Sequence, residues 1–260
     1  MLLKIFCGVI LAASLLSLSA VESHALVQDQ KPSSAAPQAA EAENFHKAGY
    51  NFTLERNFKK ALESYLSELP LRRATNDKLG EAWTLNAIGE TYSNLDDNQQ
   101  ALSYYNQALP LFRQLQESHG EARTLHGLAA SYLELNEMQR ALECLTLLLP
   151  IVRASKDRQW EGWVLNDIGA AYWELGNQEK AFEYFNQRLA YERDRKNEVG
   201  EASALRTLGS AYEIAGDKTK ALDCYRKALA IRLRMSDTME SDSLNREVNE
   251  LREAIKRLQQ

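Results

Sequence analysis

Leu85-Asn86-Ala87-Ile88-Gly89-Glu90-Thr91-Tyr92, then, after a short polar break, Ala101-Leu102-Ser103-Tyr104-Tyr105, is the stretch that decides the fold. Leu85, Ile88, Gly89 and Tyr92 stand at i, i+3, i+4 and i+7, which is the buried stripe of one helix. Ala101 and Tyr105 start the same spacing on a second helix. Forty residues on, the pattern returns as Leu125, Leu128, Ala129, Tyr132 and Ala141, then as Leu165, Ile168, Gly169, Tyr172 and Ala181, and again as Leu205, Leu208, Gly209, Tyr212 and Ala221. One period earlier it runs Phe45, Ala48, Gly49, Phe52 and Ala61. The chain is a repeat array.

Each unit reads as a helical hairpin. Arg56, Asp96, Asn136, Gly176 and Gly216 occupy the break, and all but the arginine tolerate the left-handed conformation that closes a helix. Asn57, Asp97, Glu137, Asn177 and Asp217 follow, four of them good N-caps for the second helix. The tripeptide Gly-Glu-Ala at 80–82, 120–122 and 200–202, with Trp160-Glu161-Gly162 between, is expected to open each first helix. Its glutamate suits the positive helix end and its alanine allows packing.

Leu85-x2-Ile88-Gly89-x2-Tyr92 followed by Ala101-x3-Tyr105 resembles the tetratricopeptide (TPR) signature. The forty-residue period resembles that of kinesin light chains, LGN-type adaptors and the repeat arrays beside bacterial CHAT protease domains. The resemblance implies an all-α fold: a right-handed superhelical solenoid of five helical hairpins, over about 42–75, 82–115, 122–155, 162–195 and 202–235. Three residues after the aromatic of the second helix a TPR has a small residue. Ala108 and Ala228 comply, whereas Glu68, Leu148 and Arg188 do not, so contacts with the following unit should differ there. Leu244, Val248, Leu251, Ile255 and Leu258 mark a helix over 236–260, too short for a coiled coil and suited to capping the last unit.

Residues 1–25 join Lys4, an apolar run to Val21 and Ser23-His24-Ala25, which is the layout of a secretory signal cleaved after Ala25 or Ala20. An uncleaved anchor is the alternative reading. Residues 26–41, with Pro32 and Pro37 and little apolar content, are expected to form a flexible tether. Beyond the leader no segment is apolar enough to span a membrane, so the mature chain is expected outside the cytoplasm, periplasmic or secreted. Cys144 and Cys224 lie two units apart, beyond the roughly 7 Å limit for a bridge, and read as lone thiols.

The resemblance also implies a concave groove lined by one face of the first helices. Its rows read Glu43, Trp83, Arg123, Trp163, Ser203; His46, Asn86, His126, Asn166, Arg206; Tyr50, Glu90, Ala130, Ala170, Ser210; and Thr53, Ser93, Leu133, Trp173, Glu213. Core columns repeat, whereas these vary and favour residues that anchor interfaces. Trp83, Asn86, Glu90, Arg123, His126, Trp163, Asn166, Trp173 and Arg206 are therefore the candidate peptide-binding residues. Trp83 and Trp163 would equally suit covering the junctions between units.

A net charge of −5 and the lack of a basic stripe speak against nucleic acid. No His-x3-His, Cys-x2-Cys, phosphate loop or Gly-x-Ser-x-Gly elbow occurs, so neither a metal, nor a cofactor, nor an enzyme is expected. Asn51-Phe52-Thr53 matches a glycosylation sequon, but Phe52 belongs to a core column and the match reads as chance. Two functions remain. One is a scaffold that holds a protein or peptide segment, as in an envelope complex or as an accessory subunit of an envelope enzyme. The other is a sensor that closes on a small ligand around Arg123, His126 and Asn166.

Overall fold

The computed structural model describes residues 35–155, 159–236 and 242–260. The leader and the first part of the tether lie outside the described residues. From Ala35 the chain is a single unit of eleven helices, with no strand among the described residues. First and second helices alternate: α1 (Ala35–Leu54), α2 (Phe58–Ala74), α3 (Lys78–Asn94), α4 (Asn98–Gln114), α5 (Ser118–Glu134), α6 (Met138–Ala154), α7 (Gln159–Glu174), α8 (Gln178–Asp194), α9 (Glu198–Ile214), α10 (Lys218–Ser236) and α11 (Asp242–Gln259).

The tether ends sooner than the sequence reading placed it. Residues 35–41 are helical, because Ala-Ala-Pro-Gln-Ala-Ala-Glu is rich in alanine and Pro37 sits in the first turn, where its missing N–H loses no bond.

Every described connection has the same geometry. The residue after the helix end adopts positive φ: Arg56, Asp96, Asn136, Gly176 and Gly216 within hairpins, and Asn76, Gln116 and Lys196 between them. The next N–H reaches back five residues, as in Asn57 to the Phe52 carbonyl at 2.8 Å and Asp77 to the Arg72 carbonyl at 2.9 Å. This is the Schellman closure, and its last residue doubles as the N-cap of the following helix. Asp97 accepts from the Gln100 N–H at 3.1 Å and Asp77 from the Gly80 N–H at 2.9 Å. The backbone thus repeats every twenty residues, half the sequence period.

The Gly-Glu-Ala copies consequently lie inside the first turn rather than opening the helix, which begins at Lys78, Ser118 and Glu198. Their residues build the joint to the preceding helix. A Cβ on Gly80 would press on the Arg72 side chain, on Gly120 the Phe112 ring, and on Gly200 the Glu192 carboxylate. The glutamates pair with arginines eight residues earlier: Arg73 Nε to Glu81 at 2.7 Å, and Arg113 to Glu121, Arg153 to Glu161 and Arg193 to Glu201 at 2.8 Å each. Burial pushes the Glu81 carboxyl upward, but hydrogen bonds from Arg73 and Lys78 outweigh it and hold the group below the ordinary range. Ala82 and Ala202 are buried on the other side.

Within a hairpin the helices touch where glycine faces an aromatic ring. Gly49 faces Tyr65, Gly89 Tyr105, Gly169 Phe185 and Gly209 Tyr225, all too close for a Cβ. In the third unit Ala129 stands in the glycine column and Leu145 in the aromatic one, both buried, so the side chains of each pair trade volume. Between units, Thr84, Thr124, Val164 and Ala204 are buried together with Thr91, Ser131, Ala171 and Ala211. Helix α11 lays Leu251, Ala254 and Leu258 into the core shared with α9 and α10, so its apolar stripe is consumed in covering the last hairpin. Among the described residues no helix is long and apolar enough to cross a membrane. Cys144 is partly buried and Cys224 buried, and both are free thiols. Burial pushes the Cys144 thiol up to about 11.

Candidate functional site

The first helices α1, α3, α5, α7 and α9 present the varying rows, and two pockets occupy opposite ends of that face. The N-terminal pocket, of about 620 Å³, is lined by Tyr50, Trp83, Asn86, Glu90 and Arg123, with Glu68 and Arg72 of α2 beneath. The C-terminal pocket, of about 690 Å³, lies between α7, α9 and the capping helix and is lined by Trp173, Arg206, Ser210, Ile214, Glu250 and Arg257.

Four of the nine residues chosen from sequence therefore meet in the first pocket. Trp83 is half-buried, its ring edge-on to Phe112 at 4.8 Å and beneath the Arg123 guanidinium at 5.8 Å. Arg123 forks onto Glu90, with Nη2 at 2.6 and 2.7 Å from the two carboxylate oxygens. Asn86 departs from its expected role. It is 1% exposed, accepts from the Thr124 hydroxyl at 3.0 Å and donates to Glu90 at 2.8 Å. Its amide is spent on the joint between the first helices of two units and offers nothing to a peptide backbone.

Trp173 and Arg206 reach the second pocket, where Trp173 stands edge-on to Phe182 at 5.8 Å and Arg206 approaches Glu250 at 3.6 Å. His126, Trp163 and Asn166 line neither pocket. The His126 ring lies 5.4 Å from Trp160, Trp163 is 60% exposed, and Asn166 accepts from Arg188 Nη1 at 2.6 Å. Arg123, His126 and Asn166 thus serve different local partners rather than one polar pocket.

The ionic groups under the groove come from second helices, which the groove rows did not include. Glu68 is fully buried, and its carboxylate accepts from Arg72 Nε at 2.8 Å and lies 3.2 Å from His46 Nδ1. Arg72 continues to Asp77 at 2.8 Å and Glu43 at 3.3 Å. In the fourth unit the signs reverse: Arg188 stands in the Glu68 column and Glu192 in the Arg72 column. The signal lay in two columns read together, Glu68/Arg72, Ala108/Phe112, Leu148/Val152, Arg188/Glu192 and Ala228/Arg232. Spaced i and i+4, each pair shares one helix face. The departures noted in the first of these columns are where the buried charges sit.

His46 gives a testable pH effect. Its hydrogen bond to Glu68 raises the imidazole pKa above 6.5 against the opposing pull of burial, with Glu43 adding to the rise and Arg72 opposing it. A raised folded-state value means that the stabilisation is complete below pH about 6.5 and fades as pH climbs through the folded pKa. The melting temperature of the parent should therefore fall relative to His46→Gln between pH 6 and 8. The effect is modest because the ring is 37% exposed. Parallel curves for the two proteins would refute the coupling.

A superhelix of hairpins with glycine–aromatic crossings and a variable concave face defines a class of repeat protein. Tetratricopeptide repeat models match residues 38–114 and 120–194, and a further one matches 202–232. The chain belongs to the tetratricopeptide repeat family. No curated protein matches it in sequence. Among solved structures it is similar to nearly identical TPR-like repeats of kinesin light chain type from Podosopora anserina, at 17% identity and TM-score 0.66, over 79% of this chain and 99% of that one. A Signal Transduction ATPase with Numerous Domains from Pyrococcus horikoshii, bearing a tetratricopeptide repeat sensor, aligns at 16% identity and TM-score 0.69, over 85% of this chain and 33% of that one. The apo form of RapI aligns at 19% identity and TM-score 0.69, over 82% and 63%. At such identities the likeness is one of fold.

Proposed function

We propose that the chain is an exported, non-enzymatic TPR scaffold whose concave face holds an extended or helical segment of another protein. One observation carries this reading. Tyr50 at 55%, Trp163 at 60% and Ile214 at 68% exposure stand on the groove face of three different first helices. Large apolar side chains spread along one concave surface suit a partner long enough to touch several units. A small ligand would instead gather its contacts at one place. Family membership supports a binding role, and the leader-like residues 1–25 support export.

The test is crosslinked capture from a cell-envelope extract, with the captured protein identified by mass spectrometry. Parent chain is compared with Tyr50→Ala/Trp163→Ala/Ile214→Ala, whose exposed positions leave the core intact. Capture of one defined partner should drop about tenfold or more in the variant, as expected for loss of anchor residues. Equal capture by both proteins would place binding on another surface.

A further inference from the structure

We propose that the junction of the fourth and fifth units is a carboxylate-binding subsite, with Arg188 as its floor and Asn166, Ser203 and Thr207 as its walls. This deepens the scaffold reading and, where the carboxylate belongs to a partner protein, rests on it.

Arg188 is 7% exposed, and every hydrogen-bond acceptor it reaches is neutral: Asn166 Oδ1 at 2.6 Å, Ser203 Oγ at 3.0 Å and Thr207 Oγ1 at 3.4 Å. Its Nε is buried with no partner at all. No carboxylate among the described residues comes within ion-pairing distance of it. Glu192, one turn along α8, accepts from the Asn197 side chain at 2.7 Å instead. Asp167 and Glu192 act on the guanidinium only through space, and burial leaves its pKa lowered. A buried cation without a close anion is costly, and proteins retain few of them.

The fold does not require that cost. Leu148 and Ala108 fill the same place in the third and second units, both fully buried. In the first unit Glu68 is also charged there, but Arg72 and His46 neutralise it. Arg188 is thus a charge of this array left without its counterion.

The counterion can come from the concave side. Asn166 and Ser203 belong to the groove rows, and Thr207 both accepts from Arg188 and lines the C-terminal pocket, with Arg206 beside it. The two hydroxyls accept from Arg188 as they stand. By rotating they can donate to an entering carboxylate while the guanidinium fork takes its other oxygen. Glu174, Glu250 and Glu253 on the pocket wall disfavour a dianion such as phosphate, which leaves a singly charged carboxylate as the fitting group.

The experiment follows the arginine Nε–H resonances of the full chain by NMR. Two probes are titrated at matched ionic strength: sodium propionate, and an acetylated, amidated Ala-Ala-Glu-Ala-Ala peptide with its Gln counterpart as control. The Arg188 resonance should shift saturably, and the Glu peptide should bind at least tenfold more tightly than the Gln peptide. Arg188→Leu, which copies the third unit and should fold, is expected to abolish the effect, and Ser203→Ala/Thr207→Val to weaken it several-fold. Saturation by propionate but not by the Glu peptide would assign the site to a free acid. Absence of a saturable shift, or equal binding by Arg188→Leu, overturns the subsite. In that event undiminished partner capture by Arg188→Leu would leave the scaffold standing. A saturable shift with no protein captured would sink the scaffold and keep the subsite.

Discussion

Glu68→Ala is expected to destabilise the array by about 3 kcal/mol, and Glu68→Ala/Arg72→Phe to recover most of that loss. Removing one member of a buried ion pair strands the other, at a cost of about 3–5 kcal/mol. The lower figure applies because Arg72 keeps Asp77 at 2.8 Å and Glu43 at 3.3 Å. The double variant installs the solution that the second unit already uses, Ala108 with Phe112, both fully buried. The backbone is prepared for it, since Gly80 lies against Arg72 as Gly120 lies against Phe112. Urea unfolding followed by helical circular dichroism reads both effects, and a double variant no more stable than the single one would show that the two junctions are not interchangeable.

Phe112→Ala is expected to cost about 3–5 kcal/mol, the usual range for emptying a fully buried aromatic site. The ring is 0% exposed and fills the space that Gly120 leaves at the start of α5. It is also the edge against which Trp83 rests, so the groove should loosen together with the core. Because neighbouring units share one interface, the loss should concentrate at the joint of the second and third hairpins. Hydrogen exchange should show α3 to α5 opening first, and uniform loss of protection along the chain would contradict that.

The hairpin columns were legible in the sequence because packing imposes them. Gly89 and Tyr105 recur as a pair since only a missing Cβ admits the ring, and the five loop residues recur since each must close a helix. The connections between hairpins were not read, as Asn76, Gln116 and Lys196 share no residue type that announces positive φ. The Gly-Glu-Ala copies were seen but misassigned for the same reason: with the preceding cap unrecognised, their glycine passed for a loop residue. Their glutamates pair with Arg73, Arg113, Arg153 and Arg193, a column in plain view at a spacing of eight that no single-helix period would suggest.

The groove face was legible as a face but not residue by residue. Asn86 and Trp163 belong to neighbouring rows of first helices, yet one is 1% exposed and the other 60%. What separates them is the second-helix residue below and the partner on the next unit, and both come from other columns. Arg188 shows the same limit, for its neighbours Asn166 and Thr207 lie 22 and 19 positions away in the chain.

The uniform connections carry a mechanical consequence. Eight described joints share one backbone turn, within hairpins and between them alike. None is looser in construction than its neighbours, so bending has no preferred hinge. If the superhelix widens or tightens around a guest, it must do so as a coil spring does, each joint yielding a little. The ion pairs from Arg73 to Glu81 and their successors, set at the same place in every coil, would then share the load evenly.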